Sequence, residues 1–505
     1  MADGPTNKRR RLHEDGPINT HGDFLSTFLP TPVTETGPGL DGYGFESMDP
    51  FLSPATASSW PFDEFAHDPD YLASQETLRS LLFTTARSAA PTRSGTPVDG
   101  EEPAGSVNIK QVLSKGRRVQ YLKNYMSQVA PWVKLGTTTK SGNTTNTLQL
   151  DMFDSKHAFG IQLPALAKES APLLYAILAI GARQLERKEK IQSSFDSLEL
   201  YQEAIRLLTP LLSARDTQVI AACVILCCLE MFSASAQDWR HHLEGCAAIF
   251  GAFGVNGFTG DILQAVFWCY ARMDVCGALI SDGTESTLLS PSQWLPAGIT
   301  EDAAEALFRS APSPDMYANY AVYLCAKTCE LTSDRNKYVE LGTENGCDAS
   351  NFQQRWSQLW EQLSNWALYR PKEMLPVETT IPTPFPHILF AHWAAISSNQ
   401  LYHTSCVLLL NANPKHKILH GSSPTASTMW HVKRICGISL ANPHEGCLNN
   451  AIQPLWIAGR LLSHSSEQAL VVKTIRHIEV LTGWTATWRI RDLESTWGYK
   501  VRPEV

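Results

Sequence analysis

The chain has 505 residues, 43% hydrophobic and 18% charged, a balance that builds an apolar core in water and argues against a wholly disordered or fibrous protein. A net charge of −8 gives no overall basic footprint for nucleic acid. The excess is local: residues 1–105 carry seven basic and sixteen acidic groups, whereas the other 400 residues carry 35 and 34. Such asymmetry marks an interaction tail followed by a nearly neutral folded body.

The tail comes first. Residues 1–105 hold twelve of the thirty prolines, with loose Ser, Thr and Gly clusters and no sustained periodicity, so disorder is predicted across them. Lys8, Arg9, Arg10 and Arg11 form a basic run suited to the acidic groove of a nuclear import receptor. No apolar core follows that run, so the reading is an intracellular protein without a secretory signal. Between Asp41 and Leu72 acidic residues alternate with aromatics and no Lys or Arg intervenes. Phe45, Phe51, Trp60, Phe62 and Phe65 are the candidate aromatics of an activation-type segment, kept solvated by the carboxylates and able to dock in a coactivator groove. Gly37-Pro38-Gly39-Leu40-Asp41-Gly42 fits a GxGxxG pattern, but no strand precedes it and no helix follows, so a phosphate cradle is not expected.

From residue 106 the pattern is helical, and residues 106–505 are predicted to form one all-α body. Ile109, Val112, Leu113 and Val119 suggest a first apolar stripe. Glu169–Arg187 begins with Ser170 as N-cap and Pro172 in the first turn. Leu198–Leu212, Val219–Phe232, Trp239–Phe250 and Ile262–Ile280 follow with short connectors. Val219–Phe232 is very apolar but falls short of the ~17–25 residues of a bilayer crossing, so a buried core helix is predicted. Further helices are predicted at Tyr317–Leu331, Phe352–Leu368, His387–Leu410, Leu448–Leu462 and Gln468–Leu481. No 20–50-residue repeat is present.

The chemistry-bearing residue types do not group in sequence. All twelve cysteines lie between Cys223 and Cys447 in apolar surroundings, the setting of reduced, buried thiols. Cys223/Cys227 and Cys325/Cys329 are one helical turn apart, and no Cys-x-x-Cys occurs. His241-His242 with Glu244 has no second His one turn on, so no metal site is predicted. A Walker A loop and a GxSxG elbow are both missing from the sequence, and no catalytic or cofactor-binding residues are assigned. The tryptophans of the helical body are expected to be core wedges.

Several stretches in order resemble the fungal-specific transcription factor domain, the regulatory region downstream of a binuclear zinc cluster in many fungal regulators. They are Leu173–Leu185, Leu198–Leu212, Val219–Phe250 with its Trp239-Arg240-His241-His242-Leu243-Glu244-Gly245, and Phe267–Asp274. The end is the most characteristic: Gln453-Pro454-Leu455-Trp456 through Arg460, then Thr482-Gly483-Trp484, Trp488-Arg489 and Trp497-Gly498. The resemblance implies an all-helical regulatory domain, nuclear localisation and action on RNA polymerase II transcription. It also implies that Arg272 and Asp274 are buried anchors rather than a site.

One departure matters. The family's six-cysteine zinc cluster has no counterpart before Cys223, so zinc and direct base readout do not carry over. Either a DNA-binding partner supplies the DNA contact, or a zinc-cluster segment is encoded upstream of Met1; direct DNA binding by this chain is not expected, and a homodimer is the other partner reading. The transcription machinery or a coactivator is the expected partner of the tail, and no membrane contact is expected. The competing reading is a helical small-molecule-binding protein, or an enzyme without a recognisable catalytic motif.

Overall fold

The computed structural model describes residues 64–89, 109–130 and 150–501, apart from residues 190, 192–194, 215, 234–235, 282, 312, 381–383, 414–423, 443–444, 483 and 485. Lys8–Arg11, Phe45, Phe51, Trp60 and Phe62 lie outside the described residues. The helices begin with α1 (Pro69–Ala89), α2 (Ile109–Leu113), α3 (Arg118–Asn124) and α4 (Leu163–Leu166). Five long ones follow: α5 (Ala171–Glu189), α6 (Asp196–Leu208), α7 (Thr217–Ser233), α8 (Ala236–Phe253) and α9 (Asp261–Ile280). A second run holds α10 (Ala304–Ser310), α11 (Pro314–Leu341), α12 (Ala349–Leu368) and α13 (Trp393–Ala412). It closes with α14 (Thr428–Ala441), α15 (Glu445–Gly459), α16 (Ser465–Thr482) and α17 (Thr487–Trp497). The body is all-α, as the sequence predicts.

Helix α7 is the innermost element of the first run because it is apolar on every side. All residues from Val219 to Glu230 are buried, and α5, α8 and α9 pack around it. Helix α6 is amphipathic and lies on α5, turning Leu200, Tyr201, Ala204, Ile205 and Leu208 inward. In the second run α13 is central, with α11, α12, α14 and α15 against it, and α9 touches both α11 and α15. Tryptophans bolt these helices together. Trp356 Nε1 donates to the Leu409 carbonyl (2.9 Å), and Trp366 Nε1 to that of Tyr317 (3.1 Å). No described helix is long and apolar enough to cross a membrane.

Several expectations need correction. The tail does not run to residue 105, because α1 is a 21-residue helix packed on α8 and α6. His387–Leu410 is not one helix: His387–Leu389 is a strand, β2, paired antiparallel with β1 (Glu378–Thr380), and α13 starts only at Trp393. Pro386 disfavours helix before His387, and Asn442 then clamps the extended backbone, donating to the Ile388 carbonyl (2.7 Å) and accepting from the Phe390 amide (2.9 Å). In the first apolar stripe Val119 is 45% exposed while Arg118 is buried. Arg118 turns inward because its guanidinium lies over the Tyr175 ring (5.4 Å) and reaches Glu199 (3.1 Å).

The Tyr317–Leu331 reading proves too short for α11, which Ser313 caps by accepting from the Asp315 amide (3.2 Å) and Gly342 ends at φ 64°. Close packing of α3 on α5 depends on Gly181, where a Cβ would stand 2.4 Å from the Tyr121 carbonyl oxygen. An alanine in mid-helix ordinarily gains about 0.5–1 kcal/mol over glycine. Here Gly181→Ala is expected to cost about 1–3 kcal/mol by overpacking against backbone. Urea unfolding followed by circular dichroism checks the sign, and a stabilised variant would disprove the close approach.

Candidate functional site

A set of buried polar groups forms where α1 meets the body. Asp68 starts α1, its Oδ1 accepting from the amides of Asp70 (2.8 Å) and Tyr71 (3.3 Å), and Pro69 follows at the first helical position. Tyr71, Leu78 and Leu82 then bury one face completely. Leu82 sits on Gly245 of α8, where a Cβ would come within 2.8 Å of it. Arg79 adds an ion pair to Glu244 (3.6 Å).

Just before α1, Phe65 is 0% exposed. It packs on Tyr71 (4.6 Å between centroids) and Phe195 (5.4 Å), and the Arg183 guanidinium lies 4.0 Å from its ring centroid. Phe65 is therefore not a free aromatic of an activation segment. It covers a buried cation that is also held by Ser233 (3.0 Å) and Glu186 (3.7 Å).

Under α1 lies Glu230 of α7, fully buried. Its oxygens accept from Gln75 Nε2 of α1 (2.9 Å) and Tyr201 Oη of α6 (2.5 Å). His242 Nδ1 of α8 stands 2.7 Å from Oε1. That contact has ion-pair distance but lies off the line of a hydrogen bond, and neither ring nitrogen of His242 has an aligned partner. Burial opposes charge on His242, but the Glu230 carboxylate and the Cys246 sulfur outweigh it and push the imidazole pKa up to about 10. Cys246 is drawn below the ordinary thiol range by a hydrogen bond from Cys227 and by His242. Burial pushes Cys227 well above that range. Cys227, His242 and Cys246 place one ligand-type atom each within 4.8 Å of one another.

The sequence reading missed this grouping. It weighed His241-His242-Glu244 as a unit, but the helix turns these residues to different sides. His241 is exposed and lies 3.7 Å from Glu244, while His242 points inward. The usable signal was His242-x-x-x-Cys246, a pair one turn apart.

A second buried pair joins α13 and α14. His403 and His431 bring their Nδ1 atoms to 2.8 Å, and His431 Nε2 lies 2.9 Å from the Thr425 carbonyl. With His431 Nε2 donating to that carbonyl, His403 Nδ1–H donates to His431 Nδ1, so both rings are neutral. Burial lowers His431 to about 4 and, together with His431 and nearby arginines, holds His403 well below its usual value.

The residues that carry the resemblance are helix ties. Asp274 accepts from the Leu288 (2.8 Å) and Leu289 (3.1 Å) amides and from Tyr270 Oη (3.0 Å). Arg272 donates to the Leu150 carbonyl (2.8 Å). Arg489 donates to Gln453 (2.9 Å) and to the Ile280 carbonyl (3.2 Å), its guanidinium 3.6 Å from the Trp456 centroid and 4.1 Å from that of Trp488. A cavity of about 90 Å³ lies beside Arg272, Cys228, Cys269 and Trp484, and two open surface clefts of about 550 and 560 Å³ lie beside Glu244 and Leu288 and beside Arg460 and His464.

The family model for the "Fungal specific transcription factor domain" matches residues 120–497. Transcription activator AMTR1 of Alternaria alternata is 24% identical over 340 residues, covering 55% of this chain and 44% of that relative. The chain thus matches less than half the length of the curated relative. No solved structure matches.

Two outcomes follow from the geometry. Glu230→Ala leaves Gln75, Tyr201 and His242 without their shared buried acceptor and is expected to cost about 3–5 kcal/mol in urea unfolding; a loss under 1 kcal/mol would mean that the node is not formed. For His403 and His431 the folded state binds protons less readily than the unfolded chain. Their contribution is therefore complete above about pH 6.5 and falls away as pH drops towards 4. Relative to a His403→Leu/His431→Phe variant, the wild type is expected to lose stability over that window, about 3 kcal/mol of it from His431. A stability difference that stays constant with pH would contradict neutral burial of the pair.

Proposed function

The chain belongs to the fungal specific transcription factor domain family, and from that premise we propose that it is a nuclear regulator of RNA polymerase II transcription. The observation that carries this reading is the family match over residues 120–497, together with the use of Asp274, Gln453, Trp456 and Arg489 as ties between helices. The relative's name, a transcription activator, supports the same direction. In this reading the domain works by contact with other proteins.

In this reading the acidic stretch with Phe45, Phe51, Trp60 and Phe62 recruits a coactivator, and Lys8–Arg11 direct nuclear import. Phe65 leaves that set and becomes the anchor that joins the stretch to the helical body. The DNA contact comes from a DNA-binding partner protein. Four adjacent cations alone give only a weak, salt-sensitive and sequence-blind attraction to phosphates.

A reporter assay tests the reading. Residues 1–63 tethered to a foreign DNA-binding domain are expected to activate, and Phe45, Phe51, Trp60 and Phe62 all changed to Ala to abolish activation. Silence of the tethered segment beside an active control removes the activation claim. Nuclear accumulation of a fluorescent full-length fusion is expected to be lost when Lys8–Arg11 are changed to Ala, and a wild-type fusion excluded from nuclei would overturn the nuclear reading.

A further inference from the structure

We propose that Cys227, His242 and Cys246 form a binding site for one divalent thiophilic metal ion, with zinc the species that fits. Two sulfurs and one imidazole suit a borderline-soft ion and are poor ligands for magnesium or calcium, which take oxygen. Their ligand atoms already lie within 4.8 Å of one another. The donors stand on two long, packed helices, Cys227 on α7 and the other two one turn apart on α8.

A second observation points into the same space. His242 is 0% exposed and neither of its ring nitrogens has an aligned hydrogen bond. Glu230 stands at Nδ1, 2.7 Å away, which leaves Nε2 for the ion. A carboxylate behind a ligating histidine is the usual support for zinc, fixing the tautomer and strengthening the donor. Glu230 is itself held by Gln75 and Tyr201, so the support is preassembled.

Zinc binds thiolate sulfur and neutral imidazole, so loading the site releases the protons that its ligands carry. Burial argues against a thiol pair serving as an oxidation sensor, since an oxidant must reach the core, whereas a structural ion enters as the chain folds. Zinc takes four donors, of which this cluster offers three.

The test uses the full chain, purified under reducing conditions and assayed for bound metal by mass spectrometry after gel filtration. About one zinc per chain is expected. Replacement by cobalt is expected to give a thiolate-to-metal charge-transfer band. Cys227→Ala and Cys246→Ala are expected to lose both ion and band, and Cys223→Ala, a buried cysteine outside the set, to keep them. Should an alanine variant fail to fold, the cobalt spectrum of the wild type decides alone. A metal-free wild type without the band, ion retention by both folded alanine variants, or a Cys227–Cys246 disulfide in the purified chain would each overturn the proposal.

Discussion

A carboxylate cut off from water must be given donors by the protein, and Glu230 draws its partners from three other helices. That requirement fixes more than a bond. Tyr201 can reach Glu230 only if α6 lies at the correct height on α5 and α7, and His242 only if α8 presents that one of its two adjacent histidines. Gln75 can reach it only if α1 is docked. The apolar contacts around the node supply the driving force, but they tolerate small slips that the carboxylate does not. A buried ionic group of this kind contributes little net stability over an apolar replacement, yet removing one partner is costly.

The same division of labour recurs across the body. Asp274 gathers the Leu288 and Leu289 amides and so ends the excursion between α9 and the following turn. Burial pushes its pKa up to about 6, and the three hydrogen bonds it accepts hold the rise in check. Arg489, between two indole rings, ties α17 to α15 and to the last turn of α9. Each is a single polar residue whose demands can be met only when several helices are in place. The apolar positions around them are less exacting, since many apolar sets fill the same volume.

Helix type was legible where the apolar pattern was strong, and boundaries were not. Val219–Phe232 and Ile262–Ile280 fall within a few residues of α7 and α9 because their apolar runs leave no alternative to a buried helix. Helix α14 was missed since its inward face includes His431 and Gly437 among Val432, Ile435 and Cys436, which blurs the stripe. Helix α1 was hidden by composition. Acidic residues and prolines dominate residues 41–72, and the polar Gln75 interrupts the seam of Tyr71, Leu78 and Leu82. The Asp68-Pro69 start was readable, but the partner that makes Gln75 an inward residue lies 155 positions later. Spacing along one segment cannot show a partner on another helix, and for the same reason Cys227 could not be joined to His242 and Cys246.

Gln75 gives the docking of α1 a definite register. A helix held on α8 by Tyr71, Leu78 and Leu82 alone could slide by one turn and still bury apolar surface, because residues four apart lie on the same face. Sliding α1 would leave Glu230 Oε2 without its donor, at a cost of about 1–3 kcal/mol for an unsatisfied buried acceptor. It would also pull Phe65 from beneath Arg183, exposing a cation that the core has no water to solvate. Register and anchoring therefore fail together. The end of the described chain at α1 is thus held by a charge-bearing contact as well as by an apolar seam.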